Sequence, residues 1–134
     1  MRRWLQKTMP TKKVLKNIPF ERLEDHRPWG RFIQYANNQE CTVKIIEIQP
    51  EQQLSKQRHK YRDEYWVSLD DGLVIYANGE AIPFPRGSEF YIPRGTVHSV
   101  RNASLLQAGR FLEVAFGIFE EKDIERLEDK YGRT

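Results

Sequence analysis

From Phe20 onward, apolar residues recur at about every second position. TVKIIEIQ (42–49) sets Val43, Ile45 or Ile46, and Ile48 among polar residues, and RDEYWVSL (62–69), GLVIYA (72–77), FYI (90–92), VHSV (97–100) and RFLEVAF (110–116) are further short runs rich in β-branched and aromatic side chains. Successive side chains of a strand leave opposite faces, so this period predicts strands. Asp71-Gly72 and Asn78-Gly79 reach positive φ at low cost and predict two hairpin turns. Pro50, Pro83, Pro85 and Pro93 cannot donate to a ladder and mark strand edges and bends. Strands so closely spaced, with no helix between them, predict an antiparallel barrel or sandwich. One helix is expected, over FEEKDIERLEDKYGR (119–133). There Ile124, Leu127 and Tyr131 recur at i, i+3 and i+7, acids crowd the first turn and Gly132 closes the end.

Composition narrows the class. A chain of 134 residues buries roughly two-thirds of the surface it exposes when unfolded, enough for one packed domain. That domain is expected over 20–134, after a basic extension over 1–19. The extension holds Arg2, Arg3, Lys7, Lys12, Lys13 and Lys16 and no acid, so the net +3 of the chain divides into +6 there and −3 elsewhere. A charge run of this kind is expected to be a solvated extension rather than an arm for nucleic acid or membrane. Cys41 is the single cysteine, which excludes an intramolecular disulfide and makes the reducing cytoplasm the expected setting. No run approaches the 18 apolar residues of a membrane-spanning helix, and no apolar stretch after the basic start fits a secretory signal.

Chemistry concentrates in two stretches. In QLSKQRHKYRDEYW (53–66), Gln57 and His59 are two apart and leave one face of a strand; Glu64 and Trp66 have the same relation after a reversal at Lys60 and Tyr61. In GSEFYIPRGTVHSVRN (87–102), Pro93 and Gly95 shape a turn that launches a strand carrying His98. Two imidazoles, a carboxylate and an amide oxygen form a mixed N/O donor set, suited to a divalent ion such as Zn, Mn, Fe, Co or Ni.

Gly87, Pro93, Gly95, His98 and Asn102 match the second cupin motif at every position, and Gln57, His59 and Glu64 stand where the first motif has His-x-His and a later Glu. With RPWGRF (27–32) and EVAFGIFEEKDIERLEDKYGR (113–133), the chain resembles the C-terminal cupin domain of type II phosphomannose isomerases, also found fused to mannose-1-phosphate guanylyltransferases. The resemblance runs from about Arg27 to Arg133, and 134 residues leave no room for a nucleotidyltransferase portion. It implies a cupin jelly-roll barrel that holds a divalent ion and interconverts mannose 6-phosphate and fructose 6-phosphate. It also implies Gln57, His59, Glu64 and His98 as metal ligands and Arg62 as the arginine associated with isomerase activity. The family usually has His where Tyr65 stands and Gln where Ala115 stands.

An aldose-ketose shift moves a proton between adjacent carbons through an enediolate, whose charge a divalent ion stabilises. Glu113 on RFLEVAF is one candidate base and a water on the ion is the other. The sugar phosphate needs cations at the pocket mouth, for which Arg62, Lys56, Arg58, Lys60 and Arg110 are candidates, with Tyr65 as a pocket-lining residue. RFIQYA with Trp29 offers an apolar strip best covered by a second copy, so a homodimer is expected. The alternative to an enzyme is a cupin that binds a sugar phosphate without turnover, as a sensor or accessory subunit.

Overall fold

The computed structural model describes residues 12–14 and 22–133, and every regular element among them is a strand. Most of the expected basic extension lies outside the described residues. The chain divides into two units, one ending at Glu40 and one beginning at Cys41. In the first, β1 (Lys12–Val14), β2 (Leu23–Arg27) and β3 (Gly30–Gln34) form an antiparallel sheet in that order. Glu24 gathers Arg22, His26 and Arg31 around its carboxylate. Trp29, in the β2–β3 turn, is 72% exposed, and Phe32 is also exposed.

The second unit is the two-sheet, all-β architecture that the period of two predicts. Its strands are β4 (Cys41–Ile48), β5 (Lys56–Arg58), β6 (Arg62–Ser68), β7 (Leu73–Ala77), β8 (Glu80–Phe84), β9 (Glu89–Ile92), β10 (His98–Asn102), β11 (Gly109–Gly117) and β12 (Glu125–Glu128). One sheet runs β12-β5-β10-β7-β8 and the other β4-β11-β6-β9. Inward residues of both, including Ile48, Trp66, Leu73, Ile75, Phe84, Val100 and Phe111, make one apolar core. Asn78-Gly79 is the expected two-residue hairpin: Ala77 faces Glu80, and both turn residues have positive φ (52° and 75°). Pro83 lies in β8, at a sheet edge, where its missing N–H costs no ladder bond.

Two expectations are corrected. Asp71-Gly72 does not close a hairpin, because β6 and β7 belong to different sheets and the turn carries the chain across. The C-terminal helix does not form either. Residues 125–128 instead pair with β5, Glu125 opposite Arg58 and Arg126 opposite Gln57, with Arg58 Nε 2.8 Å from Glu125 Oε2. An isolated helix needs an apolar face to bury, and here Leu127 and Tyr131 remain exposed. Pairing fills an edge of β5 that would otherwise leave backbone groups unpaired.

Local ties set the end of the sandwich that carries the candidate chemistry. Asp63 accepts hydrogen bonds from the Arg94 backbone N–H (2.8 Å) and guanidinium (3.0 Å), and Gly95 N–H donates to the His59 carbonyl (2.7 Å). These bonds pin the Pro93–Gly95 turn beside His59. Burial raises the Asp63 carboxyl pKa, but the Arg94 hydrogen bonds and charge outweigh it and hold it below its ordinary value. The tie is therefore fully present above the usual carboxylate range and lost as pH falls through the lowered value. Asn102 secures the other end, donating to the Ile48 and Gln107 carbonyls and accepting from Ser104 N–H. Among the described residues no helix is long and apolar enough to cross a membrane.

Candidate metal centre

His59 follows β5, Glu64 lies on β6 and His98 opens β10, so three separated segments bring one donor each to the same end of the core. All three residues are buried, and their ligand atoms lie within 4.8 Å of one another. The imidazoles are oriented by the backbone. His59 Nδ1–H donates to the Asp123 carbonyl (2.6 Å) and His98 Nδ1–H to the Thr96 carbonyl (2.8 Å). Each Nε2 is thereby left with its lone pair, the form in which histidine binds metal. The rings stand 5.2 Å apart, and Trp66 packs edge-on against His98 at 5.3 Å. Gln57 stands directly across from His98 in the ladder and leaves the same face; its Nε2 donates to Ser55 O and Oγ.

Burial governs the electrostatics of the site. Burial lowers the His98 pKa to about 4 and also lowers that of His59, so both are neutral near pH 7. Burial first, and the Glu113 charge second, raise Glu64 well above the carboxylate range; Glu113 is raised chiefly by burial. These two acids are hydrogen-bonded to each other, which requires that one keep its proton. Glu64 Oε2 is nevertheless buried with no hydrogen-bond partner, a costly state in a protein interior. Its near neighbours are His59 Nε2 at 3.7 Å and Arg62 Nε at 3.9 Å, both beyond hydrogen-bonding distance. An orphaned carboxylate oxygen among imidazole lone pairs fits a divalent ion, which would also replace the shared proton.

Arg62 borders the cluster. Its Nη2 donates to His59 Nε2 (3.2 Å), its Nη1 to the Glu120 carbonyl (3.1 Å), and its guanidinium lies 4.3 Å from the Phe119 ring centroid. A cation on His59 would take the lone pair that Arg62 holds here and free one guanidinium N–H.

Of the residues the sequence singles out, His59, Glu64, His98, Arg62 and Glu113 are brought together, with Gln57 across the ladder from His98 on the same face. The other proposed substrate cations are not. Lys56 and Arg58 alternate with Gln57 and leave the opposite face of β5. Lys56 lines a cleft of about 1290 Å³ with Tyr76, Arg94 and Ser99, away from the donors. Lys60 is exposed, its backbone N–H bonded to Asp123 Oδ1. Arg110 forks onto Asp70 (2.8 and 3.2 Å) on the face of β11 opposite Glu113. Tyr65 pairs with Val114 and Tyr91 on the outward face of β6, its hydroxyl donating to Glu89 (3.4 Å). Sequence reasoning missed Lys44, Phe119, Glu121 and Asp123. Lys44 was legible, because it shares the parity of Ile46 and Ile48, the half of β4 that turns inward, while Val43 and Ile45 are 58% and 61% exposed.

Residues 17–129 match the protein family described as mannose-6-phosphate isomerase C-terminal. A mannose-1-phosphate guanylyltransferase ManC of Salmonella typhimurium is 32% identical over 131 residues, which cover 92% of this chain and 27% of that protein. The chain thus spans about a quarter of the length of the curated relatives it matches. Solved structures of the same fold include a double-stranded β-helix protein of Klebsiella pneumoniae (TM-score 0.58, 13% identity, covering 94% of this chain and 95% of that one). Another is a cupin 2 conserved barrel protein of Salinispora arenicola (TM-score 0.53, 17% identity, covering 80% and 75%). The all-β fold is therefore the cupin barrel that the motifs imply.

Proposed function

Because the chain belongs to the mannose-6-phosphate isomerase C-terminal family, we propose that it is a metal-dependent sugar-phosphate isomerase, interconverting mannose 6-phosphate and fructose 6-phosphate in the cytoplasm. The observation that carries this proposal is the buried His59, Glu64 and His98 cluster with a second acid, Glu113, and a guanidinium, Arg62, at its margin. His59, Glu64 and His98 would hold the ion, with the Gln57 amide as a fourth donor. Bound there, a divalent ion supplies Lewis-acid stabilisation of negative charge developing on substrate oxygens. Glu113 is the inward carboxylate outside the donor set and is the group assigned to move the substrate proton between C1 and C2. Arg62 offers a planar fork to a substrate oxygen, and its burial keeps that interaction out of water. Trp66, Phe84 and Phe111 close the floor of the site with packed rings.

A second reading has its own observation. Ala115 faces Glu64 directly in the β6–β11 ladder and brings no polar group to the site, while Tyr65 points away from it. A binder without turnover, accessory to a guanylyltransferase, would tolerate both. Purified protein supplied in turn with Zn, Mn, Fe, Co and Ni, and assayed for fructose 6-phosphate formed from mannose 6-phosphate, separates the two. An isomerase turns over with at least one ion; a binder shows only a rise in melting temperature with the sugar phosphate.

A further inference from the structure

Lys44 stands directly opposite Glu113 in the β4–β11 ladder, so both side chains leave the inward face. Its Nζ lies 2.9 Å from Glu121 Oε1 and 4.1 Å from the centroid of the Phe119 ring. The guanidinium of Arg62 rests on that same ring at 4.3 Å and is hydrogen-bonded to the carbonyl of Glu120. Residues 119–121 therefore lie on two cations at the margin of the donor cluster.

We propose that Lys44 and Arg62 are the phosphate-binding cations of this site, and that Glu121, with Phe119, occupies their place until a phosphorylated substrate displaces it. The identity of the anion rests on the isomerase assignment above; the cation pair and its internal occupant rest on the geometry.

The present occupant is weakly held. The Glu121 side chain is 80% exposed and makes one hydrogen bond, to Lys44, and a solvent-washed pair of this kind adds little stability. A phosphate ester carries close to two negative charges and three acceptor oxygens, so it can engage an ammonium and a guanidinium at once where one carboxylate satisfies only the first. Glu121 also sits where an anion is favoured: Lys44 lowers its pKa most, and Arg62 lowers it further. Displacing it would free the segment that carries Phe119 while Asp123 keeps its own hydrogen bonds to the Lys60 and Tyr61 backbone N–H groups. Those bonds give the moving stretch a fixed hinge.

The test is direct binding of inorganic phosphate and of mannose 6-phosphate to metal-loaded protein by titration calorimetry, so that turnover is not the readout. Glu121→Gln removes the internal competitor and should tighten both ligands severalfold. Lys44→Met should weaken both by about tenfold or more, the scale of one charge-assisted hydrogen bond, while metal content stays unchanged. Lys44→Arg keeps the charge and should retain most of the affinity, which separates lost charge from a damaged fold. Phosphate affinities equal to wild type in both Glu121→Gln and Lys44→Met would overturn the proposal, as would tighter binding in Lys44→Met. Loss of phosphate in Lys44→Met, in a protein that catalyses no isomerisation, would reject the isomerase and leave the anion site standing.

Discussion

Replacing His98 with alanine is expected to cost the protein most of its divalent metal, with affinity falling by more than about a hundredfold. Loss of a residue that merely orients a ligand costs roughly 10- to 100-fold, and His98 would be a ligand itself. Its Nδ1–H is committed to Thr96 O, which fixes the tautomer that leaves Nε2 as the donor, and its ring is buried against Trp66 and His59. Metal per chain, measured by elemental analysis after dialysis, reads the result. Gln57→Ala should lose much less, because a neutral amide oxygen is the poorest donor of the four. Equal metal content in wild type and in a folded His98→Ala protein would remove His98 from the centre.

Arg62→Lys is expected to retain both metal and fold and to lose isomerase activity by about a hundredfold or more, the usual scale for deleting one preorganised transition-state donor. The guanidinium donates from two nitrogens and lies against Phe119 at once. An ammonium on a flexible stem cannot reproduce that planar fork. Because the same guanidinium is proposed to hold the substrate phosphate, steady-state kinetics should show both a fall in kcat and a rise in KM. Activity within a few-fold of wild type would show that Arg62 positions nothing that matters to the reaction.

Much of this was legible in the residues themselves. Strands β4, β6, β7, β9, β10 and β11 follow from period two, and the donor cluster follows from motif spacing, because Pro93 and Gly95 must turn the chain before His98 can face inward. What failed did so for identifiable reasons. The Ile124, Leu127 and Tyr131 spacing suits a helix locally, but a strand partner for β5 and the Arg58–Glu125 pair lie outside that window. Asp71-Gly72 has the chemistry of a tight turn, yet turn chemistry does not say whether the next strand returns to the same sheet. Proximity in sequence also misled the choice of substrate cations. Alternation places Lys56 and Arg58 opposite Gln57, and Arg110 opposite Glu113, so strand parity alone argues against them. The same rule, applied to the ambiguous Ile45-Ile46 pair, would have found Lys44.

Isomerisation as proposed requires this barrel to move a carbon-bound proton of a sugar phosphate. Proton NMR of metal-loaded protein in deuterated water reads that step whichever product is released. The C2 proton of mannose 6-phosphate, and one C1 proton of fructose 6-phosphate, are expected to exchange with solvent deuterium, and Arg62→Lys is expected to slow this exchange in step with turnover. A wild-type protein that binds metal and sugar phosphate yet leaves both signals intact would contradict the isomerase assignment.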